Sequence, residues 1–401
     1  LKIPMTDTEN NKNSNSPVLR FPGFTEPWKK CRLGDYIRIF SGESPNCVSS
    51  KFGIIPYYKV EQLNWCEKYL GETPYLSQRG KNILPEGCVV FSKRGAAILT
   101  NKVRMNLFPI NIDTNLMGIK ADNSFISDQY LFYFILRARL SRIADTSTIP
   151  QINNIHINPI TIHVPSLEEQ EKITRSLGLL DERIATQRRL IEDFISLRRA
   201  LLQNAISRGL SKKSWKLTSL SDILTERGEK NSAGYNVCSV SVSEGVVNQI
   251  EYLGRSFAAK ETGHYNVARY GDIIYTKSPT GSFPYGIVKR NTQKLPAAIS
   301  PLYGVFVPKY DWIGILLGYY FESEVNTFNY LHPIIQKGAK NTINITNSGF
   351  LANSVPLPTD ESEALTLAKC LDTISDKIIL EKSILTHYTE QREYLLSKMF
   401  V

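Results

Sequence analysis

The same ordered series of short motifs occurs twice in this chain of 401 residues, and the second copy follows the first by about 190 residues. The matched pairs are 28–37 with 215–224, 87–93 with 271–277, and 116–119 with 302–305. Such a period is far longer than that of solenoid repeats, and a small drift in offset is expected where loops carry insertions. The chain is therefore predicted to contain one domain-plus-helix unit built twice, with pseudo-two-fold internal symmetry.

Each half ends in a stripe of apolar residues, spaced alternately three and four positions apart over about four heptads. Both stripes carry a polar residue in fourth place, Gln187 or Glu381, and an arginine in seventh place, Arg198 or Arg392. Since a long helix cannot bury such a stripe alone, the pattern predicts two antiparallel helices paired as a coiled coil. In the alternative, the stripes are core faces of ordinary helices packed on their own domains. The predicted seam residues are Leu177, Leu180, Ile184, Ile191, Phe194 and Leu201 in the first stripe, and Leu371, Ile374, Ile378, Leu385, Tyr388 and Leu395 in the second.

Helix starts and short apolar runs define the predicted domains. Ser166 with Glu169, and Asp360 with Glu363, have the spacing of a capping box at the start of each long helix. Before each helix, short apolar runs bounded by Gly and Pro predict mixed α/β domains, so the fold class is α+β. We expect a disordered tail at 1–17, mixed domains at 18–165 and 209–358, and long helices at 166–208 and 359–401.

Basic residues are concentrated in equivalent parts of the two halves. The chain has 48 Lys and Arg against 38 Asp and Glu, a net charge of +10, which favours polyanionic partners. Residues 78–104 contain six basic residues and one acid, and residues 255–294 contain seven basic residues and two acids. Tyr, Ser and Asn are interleaved, and these side chains suit phosphate contact and base-edge reading. Both stretches are predicted to bind nucleic acid; in the alternative they are solvated loops without a partner.

Sequence patterns of catalysis, metal binding and membrane insertion are missing. The six cysteines and five histidines are scattered without metal-ligand spacing. The chain has no phosphate-binding Gly-rich loop and no Asn-Pro-Pro-Tyr/Phe motif of amino-methyltransferases. The apolar run at 312–321 is far shorter than the roughly 20 residues that cross a bilayer. We therefore expect a non-catalytic, cytoplasmic protein that holds no cofactor or metal of its own.

Several stretches of the chain carry a family resemblance. They are Leu19-Arg-Phe-Pro-Gly-Phe24, Ile55-Pro-Tyr-Tyr-Lys59, the hairpin at 87–93, the polar loop at 146–153, and Val164-Pro-Ser-Leu-Glu-Glu-Gln170. From Leu19 onward the chain resembles the specificity subunits of type I restriction-modification systems. The second half departs from the pattern, because its polar loop at 340–347 lacks the Pro-Gln step found at Pro150 and Gln151.

The resemblance implies a function and a set of partners. The mixed domains would be target recognition domains, each reading one half of a bipartite asymmetric double-stranded DNA site, and the long helices would be spacers. The chain would bind two modification (methyltransferase) subunits and two restriction (motor-nuclease) subunits. S-adenosylmethionine, ATP and magnesium would belong to those partners. Two rival functions remain open: a stand-alone bipartite DNA-binding regulator, and a coiled-coil scaffold whose basic domains bind RNA or acidic proteins.

Candidate DNA-binding residues lie in the basic and polar stretches of both halves. We expect Lys93, Arg94, Lys277 and Lys289 to contact mainly phosphates. The full set is Tyr58, Lys59, Lys93, Arg94, Lys102, Thr148, Gln151 and Asn153 in the first half, and Lys277, Ser278, Thr280, Lys289, Lys340, Asn341 and Asn344 in the second.

Overall fold

The computed structural model of the chain describes residues 6–7, 15–44, 53–78, 82–146, 149–254, 261–337 and 343–401. The chain forms two compact units. Unit 1 comprises Leu1–Arg189 and Lys382–Val401, and unit 2 comprises Leu190–Glu381. The division falls inside both long helices, so each unit contains one mixed domain and a segment of each helix. The predicted domain boundaries at the helix ends therefore stay a prediction.

Unit 1 contains eleven of the strands in the described residues and the start of the first long helix. Its strands are β1 (Thr6–Asp7), β2 (Leu19–Arg20), β3 (Lys29–Arg32), β4 (Ile37–Ser41), β5 (Ile55–Tyr58), β6 (Leu76–Ser77), β7 (Val89–Ser92), β8 (Val103–Met105), β9 (Asn111–Ile112), β10 (Leu116–Ala121) and β11 (Thr161–Val164). Its helices are α1 (Asp128–Ala138), α2 (Leu140–Ile143), α3 (Asn154–Ile157) and the start of α4 (Leu167–Lys212), with 3-10 turns at Leu33–Tyr36, Val60–Asn64 and Ala96–Thr100.

Unit 2 repeats this pattern of elements. Its strands are β12 (Trp215–Ser219), β13 (Leu224–Glu226), β14 (Cys238–Ser241), β15 (Gly245–Asn248), β16 (Asn266–Ala268), β17 (Ile273–Tyr275), β18 (Val288–Arg290), β19 (Ala297–Ile299), β20 (Gly304–Pro308), β21 (Gln336–Lys337), β22 (Ile343–Asn344) and β23 (Ser354–Pro358). Its helices are α5 (Leu220–Ile223), α6 (Gln249–Leu253), α7 (Asp311–Tyr320), α8 (Glu324–Leu331), α9 (Asn347–Ala352) and the first part of α10 (Glu361–Lys398), with a 3-10 turn at His332–Ile334.

The four-stranded sheet has the same strand order in both units. Unit 1 has an antiparallel sheet in the order β4-β10-β7-β8, and unit 2 has an antiparallel sheet in the order β13-β20-β17-β18. In unit 1, β3 also pairs with β11 just before α4, and in unit 2, β12 pairs with β23 just before α10. The matched motifs lie on these shared strands, so the predicted internal repeat and α+β class are confirmed.

The central strand of each sheet is buried on both faces. In β7, Val89 and Phe91 belong to the cluster that contains α1, whereas Val90 belongs to a second cluster on the opposite face. In β17, Ile273 and Ile274 divide between two clusters in the same way. Two buried faces explain why these strands read as continuous apolar runs rather than as alternating patterns.

A glycine is required at the same place in each repeat. A Cβ on Gly118 would lie 2.2 Å from Cδ2 of Leu84, and a Cβ on Gly304 would lie 2.8 Å from Cε2 of Phe306. Both glycines follow the first residues of the matched motifs at 116–119 and 302–305. The repeat therefore retains a position where a side chain would displace the Leu84 side chain in unit 1 or the Phe306 ring in unit 2.

The two long helices contact each other within each unit and run antiparallel there. In unit 1, Leu177 of α4 and Leu396 of α10 share one buried cluster. In unit 2, Leu202 of α4 and Leu371 of α10 do so. All twelve predicted seam residues are buried or half-buried. Because Leu177 and Leu371 also belong to the cores of their own domains, the helix-pairing interpretation and its alternative are both correct near the domains.

Two further expectations concern the tail and membranes. Most of the predicted tail at 1–17 lies outside the described residues. Thr6–Asp7 differ from the predicted disorder, since they form β1 and pair with β2. No helix in the described part of the chain has the length and apolar character needed to span a membrane.

Candidate nucleic-acid interface

In unit 1, the end of β7 lies beside the polar loop that precedes α3. The backbone N–H of Ile152 donates to the carbonyl of Lys93 at 2.9 Å, and the N–H of Gly95 donates to the carbonyl of Pro150 at 2.8 Å. These bonds place Arg94 opposite Gln151 in an antiparallel bridge. Two candidate segments that are far apart in sequence therefore form one surface.

The polar loop is fastened at its base. The backbone groups of Asp145 and Gln151 exchange two hydrogen bonds of 3.0 and 2.9 Å. Asn153 is exposed at the N-terminus of α3, and its N–H donates to Nδ1 of His156 at 3.0 Å. Thr148 lies outside the described residues. Two backbone hydrogen bonds thus hold the base of the loop, and Gln151 lies there next to Arg94, with Asn153 two residues further on.

Lys93 is partly desolvated at this surface. Burial lowers the pKa of its ammonium group, Asp113 opposes that shift, and Arg94 adds to it. A lysine short of solvent and close to another cation gains from a bound anion. Lys93 and Arg94 together can therefore hold a phosphate beside the amide side chains of the loop.

Two other candidates in unit 1, Tyr58 and Lys59, have partners inside the fold. Tyr58 is only 1% exposed, its hydroxyl donates to the carbonyl of Gly71 at 2.5 Å, and burial raises its pKa to about 12. Its placement in a core strand does not support a DNA contact. The Nζ atom of Lys59 lies 3.7 Å from the centre of the Tyr75 ring.

Two basic residues of the 78–104 stretch also have intramolecular partners. The ammonium group of Lys102 donates to Oδ1 of Asn64. Arg104 is buried, and its Nε donates to the carbonyl of Leu63 at 3.0 Å. The guanidinium of Arg104 therefore stabilises the domain, and its burial does not support a DNA contact.

In unit 2, three candidates share the turn that follows β17. Lys277 has a left-handed φ of 59°, and Gly286 packs so closely that a Cβ there would lie 2.9 Å from the Lys277 nitrogen. Thr280 and Phe283 exchange two backbone hydrogen bonds of 3.0 Å, and the Thr280 hydroxyl donates to the carbonyl of Ser278 at 3.1 Å. Lys277, Ser278 and Thr280 therefore lie together at the end of the strand equivalent to β7.

The remaining candidates of unit 2 are placed differently. Lys289 lies on β18, where burial lowers its pKa, Glu322 opposes the shift, and Arg198 adds to it. Its charged neighbours thus belong to the helical side of unit 2 and not to the turn after β17. Lys340 and Asn341 lie outside the described residues. Asn344 lies in β22, opposite Gln336.

Sequence reasoning missed the side chains that join each domain to its long helix. In unit 1, Nε1 of Trp28 donates to Oε2 of Glu169 at 3.2 Å, and Arg20 donates to both Glu169 oxygens at 2.8 and 2.9 Å. In unit 2, Nε1 of Trp215 donates to Oε1 of Glu363 at 2.7 Å. The matched tryptophans of the repeat were the available signal. Only half of the predicted first capping box forms, because the Glu169 N–H donates to Ser166 Oγ while the carboxylate binds Arg20 and Trp28.

A second contact between each domain and the long helices involves the arginine in seventh place of each apolar stripe, Arg392 in unit 1 and Arg198 in unit 2. In unit 1, Arg392 pairs with Asp181 at 2.5 Å, and the Tyr133 hydroxyl donates to the same carboxylate at 2.6 Å. In unit 2, Arg198 pairs with Glu322 at 2.6 Å and lies 4.6 Å from the centre of the Tyr319 ring. Among the described residues, no group of three or more His, Cys, Asp or Glu is arranged to hold a metal.

Comparisons with known proteins agree on one group. Residues 25–193 match the family model of the type I restriction modification DNA specificity domain. A curated relative, the type I restriction enzyme MjaVIII specificity subunit of Methanocaldococcus jannaschii, is 24% identical over 215 residues. That match covers 51% of this chain and 47% of the relative, so the chain spans about half the length of the relative that it matches.

Two solved structures have a similar fold. The S subunit of a type I restriction-modification system from M. genitalium superposes with a TM-score of 0.59 at 14% identity, over 96% of this chain and 99% of that chain. A chain of a type I R-M system, solved to explain complex assembly and conformational transition, gives a TM-score of 0.52 at 16% identity, over 93% and 97%. At these identities the likeness shows the fold.

Proposed function

We propose that this chain is a specificity subunit of a type I restriction-modification system and selects the DNA sequence on which such a complex acts, since residues 25–193 match the type I restriction modification DNA specificity domain and a curated specificity subunit is 24% identical over 215 residues. In this proposal the mixed domain of each unit reads one half of a bipartite duplex site. The long helices set the number of unread base pairs between the two halves.

One observation carries the proposal: the same sheet is built twice, and the equivalent strand ends in a lysine and polar side chains each time. In unit 1, Lys93 and Arg94 at the end of β7 adjoin Gln151. In unit 2, Lys277 at the end of β17 leads into the turn with Thr280. Two equivalent surfaces that differ in side chains suit a ligand with two different half-sites.

The side chains suit the two parts of DNA recognition. Lysine ammonium groups bind phosphates, which positions a protein on the duplex without selecting a sequence. The glutamine amide pairs well with adenine, so Gln151 is the base reader proposed for unit 1, beside the phosphate contacts of Lys93 and Arg94. The hydroxyls of Ser278 and Thr280 accept or donate, which allows unit 2 to prefer different bases.

The partners and chemistry belong to the same proposal. The chain would dock two modification subunits and two restriction subunits, and those subunits would hold S-adenosylmethionine, ATP and magnesium. The proposed role of this chain is recognition without catalysis.

The test is methylation sequencing of a reconstituted complex of the full chain with its cognate modification subunit. The unaltered complex should modify a site of two defined halves separated by a fixed gap. Gln151→Ala should relax the preference in one half only, and the matched variant Thr280→Ala should relax the other half only. A variant that alters both halves would contradict the assignment of one half to each domain.

A stand-alone regulator gives a different result. In that case the isolated chain binds one DNA sequence tightly, and addition of the modification subunit neither forms a complex nor produces methylation.

A further inference from the structure

Unit 1 contains a cleft of about 1000 Å³ beside the corner between α1 and α2. Its wall also includes the segment that follows the 3-10 turn Ala96–Thr100 and nearby parts of α4 and α10. Seven basic residues and two acidic residues line the cleft. We call it the unit 1 cleft, and its excess of positive charge indicates an anionic ligand.

The corner is held in an unusual backbone conformation. Arg139 joins α1 to α2 with a positive φ of 57°. Asn101 holds this corner, because its Nδ2 donates to the carbonyl of Leu136 at 2.9 Å and its Oδ1 accepts from the N–H of Leu140 at 2.9 Å. The conformation leaves both Arg139 and Arg142 exposed at the edge of the cleft.

Two arginines of the cleft have a carboxylate partner at short distance, whereas the two at its edge do not. Arg392 pairs with Asp181, and Arg188 pairs with Glu67. Arg139 lies 3.8 Å from Glu393, and both side chains are more than half exposed, so this pair is weak. In the described part of the chain, no carboxylate forms an ion pair with Arg142. Arg139 and Arg142 can therefore bind an anion without first giving up a strong partner.

The equivalent cleft of unit 2 has a different charge. It has a volume of about 450 Å³ and is lined by one basic and two acidic residues. Tyr133 and Tyr319, which make equivalent junctions with the long helices, align the two clefts. Counted from these tyrosines, Leu136, Arg137, Ala138, Arg139 and Arg142 of unit 1 correspond to Glu322, Ser323, Glu324, Val325 and Phe328 of unit 2, and Glu393 of α10 corresponds to Arg199 of α4.

This difference in charge distinguishes between two classes of ligand, a pair of identical protein subunits and a DNA duplex. Two identical protein subunits that dock on the two units require the same chemistry at both places, and these clefts do not provide it. A duplex presents phosphates along its whole length, so one unit can hold more of them than the other. The unit 1 cleft is also continuous in sequence with the proposed reading surface, since Arg142 shortly precedes Asp145, whose backbone pairs with Gln151.

We propose that Arg139 and Arg142 bind backbone phosphates beyond the half-site read by unit 1, and that the unit 2 cleft makes no such contact. The inference rests on the proposed function, because it requires that the chain bind duplex DNA. It adds a longer phosphate footprint on one side of the site.

The test measures how duplex binding by the complex of the full chain with its modification subunit depends on salt. The probe is a mixed-sequence duplex of about 30 base pairs, and each lost phosphate contact lowers the slope of log affinity against log salt by about 0.9. Arg139→Gln with Arg142→Gln should lower the slope by about 1.8. The positional control, Val325→Gln in unit 2, should leave the slope unchanged. The charge-matched control, Lys369→Gln with Lys382→Gln on exposed positions of α10, should change it much less.

Each other outcome overturns the inference. An unchanged slope in the arginine variant shows that the cleft does not bind DNA, and loss of the modification subunit in light scattering would then identify it as a protein-docking site. An equal fall in the lysine control shows that only net charge matters. If the complex with the unaltered chain does not bind the duplex, the proposed function fails together with this inference.

Discussion

Units 1 and 2 share a fold but join their domains to the long helices with different strength. In unit 1 the carboxylate of Glu169 is buried and accepts hydrogen bonds from both Arg20 and Trp28. In unit 2 Glu363 is exposed and accepts from Trp215. The repeat therefore preserves the tryptophan–glutamate contact, while the surrounding residues determine how much it stabilises each copy.

The arginine junctions differ in where the carboxylate comes from. Arg392 of unit 1 pairs with Asp181 of α4, whereas Arg198 of unit 2 pairs with Glu322, which follows α7 in the domain. Ser375 occupies the helix position equivalent to Asp181, and its hydroxyl accepts a hydrogen bond from Arg198. A semi-buried arginine needs a counter-charge, and the two copies supply it from different elements. The geometry of the junction is thus more constant than its chemistry.

The largest effect should come from lengthening both helices where the two units divide. Four residues inserted after Arg188 in α4 and four after Glu381 in α10 add about 6 Å to each helix. That is nearly two base-pair steps of about 3.4 Å, and four residues keep the seam almost in phase. Methylation sequencing should show the same two half-sequences with a gap about two base pairs longer.

The control for this insertion lengthens α4 alone. It shifts the seam of one helix against the other, so we expect methylation to be lost. A changed half-sequence in the double insertion would show that the units do not read DNA independently, and an unchanged gap would show that the helices do not set the spacing.

A smaller effect should separate the two tryptophan–glutamate junctions. Glu169→Ala leaves the Arg20 guanidinium, which is 13% exposed, without its counter-charge, so we expect unit 1 to lose about 3 kcal/mol of stability. Glu363→Ala removes one hydrogen bond at an exposed position and should cost unit 2 about 1 kcal/mol. Hydrogen exchange in β7 and β17 reports the opening free energy of each unit separately. Equal losses would mean that the junctions contribute equally.

The smallest effect should concern the lysines that end the equivalent strands. Lys93→Ala and Lys277→Ala should each lower the salt slope of duplex binding by about 0.9, without changing the preferred bases. Lys289→Ala provides the comparison within unit 2, and we expect a smaller change because Lys289 lies beside Glu322. A change of base preference in the Lys93 variant would reassign that residue to base reading.

Sequence patterns predicted the parts of the fold that depend on local periodicity. The heptad stripes predicted α4 and α10, because a helical face can be recognised from residues three and four apart. The repeat predicted the common sheet order, since the matched motifs are the buried strands themselves. Pairing between distant segments could not be predicted in this way, so the adjacency of Arg94 and Gln151 emerged only from the structure.

Burial accounts for two residues, one candidate and one member of the basic stretch, whose placement does not support a DNA contact. Tyr58 and Arg104 have the side chains of a DNA-binding surface, but both are buried and bonded to backbone carbonyls. Residue type and local charge do not reveal which face of a short strand is covered when both of its faces pack. The contacts of Glu169 and Glu363 with the tryptophans were not predicted, because these partners lie far away in sequence.

The core of unit 1 contains residues from both ends of the described chain. Leu396, Met399 and Phe400 belong to its core, the Phe400 ring lies 5.0 Å from the Tyr130 ring, and Arg137 donates to the Val401 carbonyl at 2.9 Å. Unit 2 is continuous from Leu190 to Glu381. During synthesis on the ribosome, unit 2 can therefore be completed while unit 1, whose translation starts first, still lacks part of its core. Apolar core residues of the first domain therefore stay exposed until the last twenty residues of unit 1 have emerged from the ribosome.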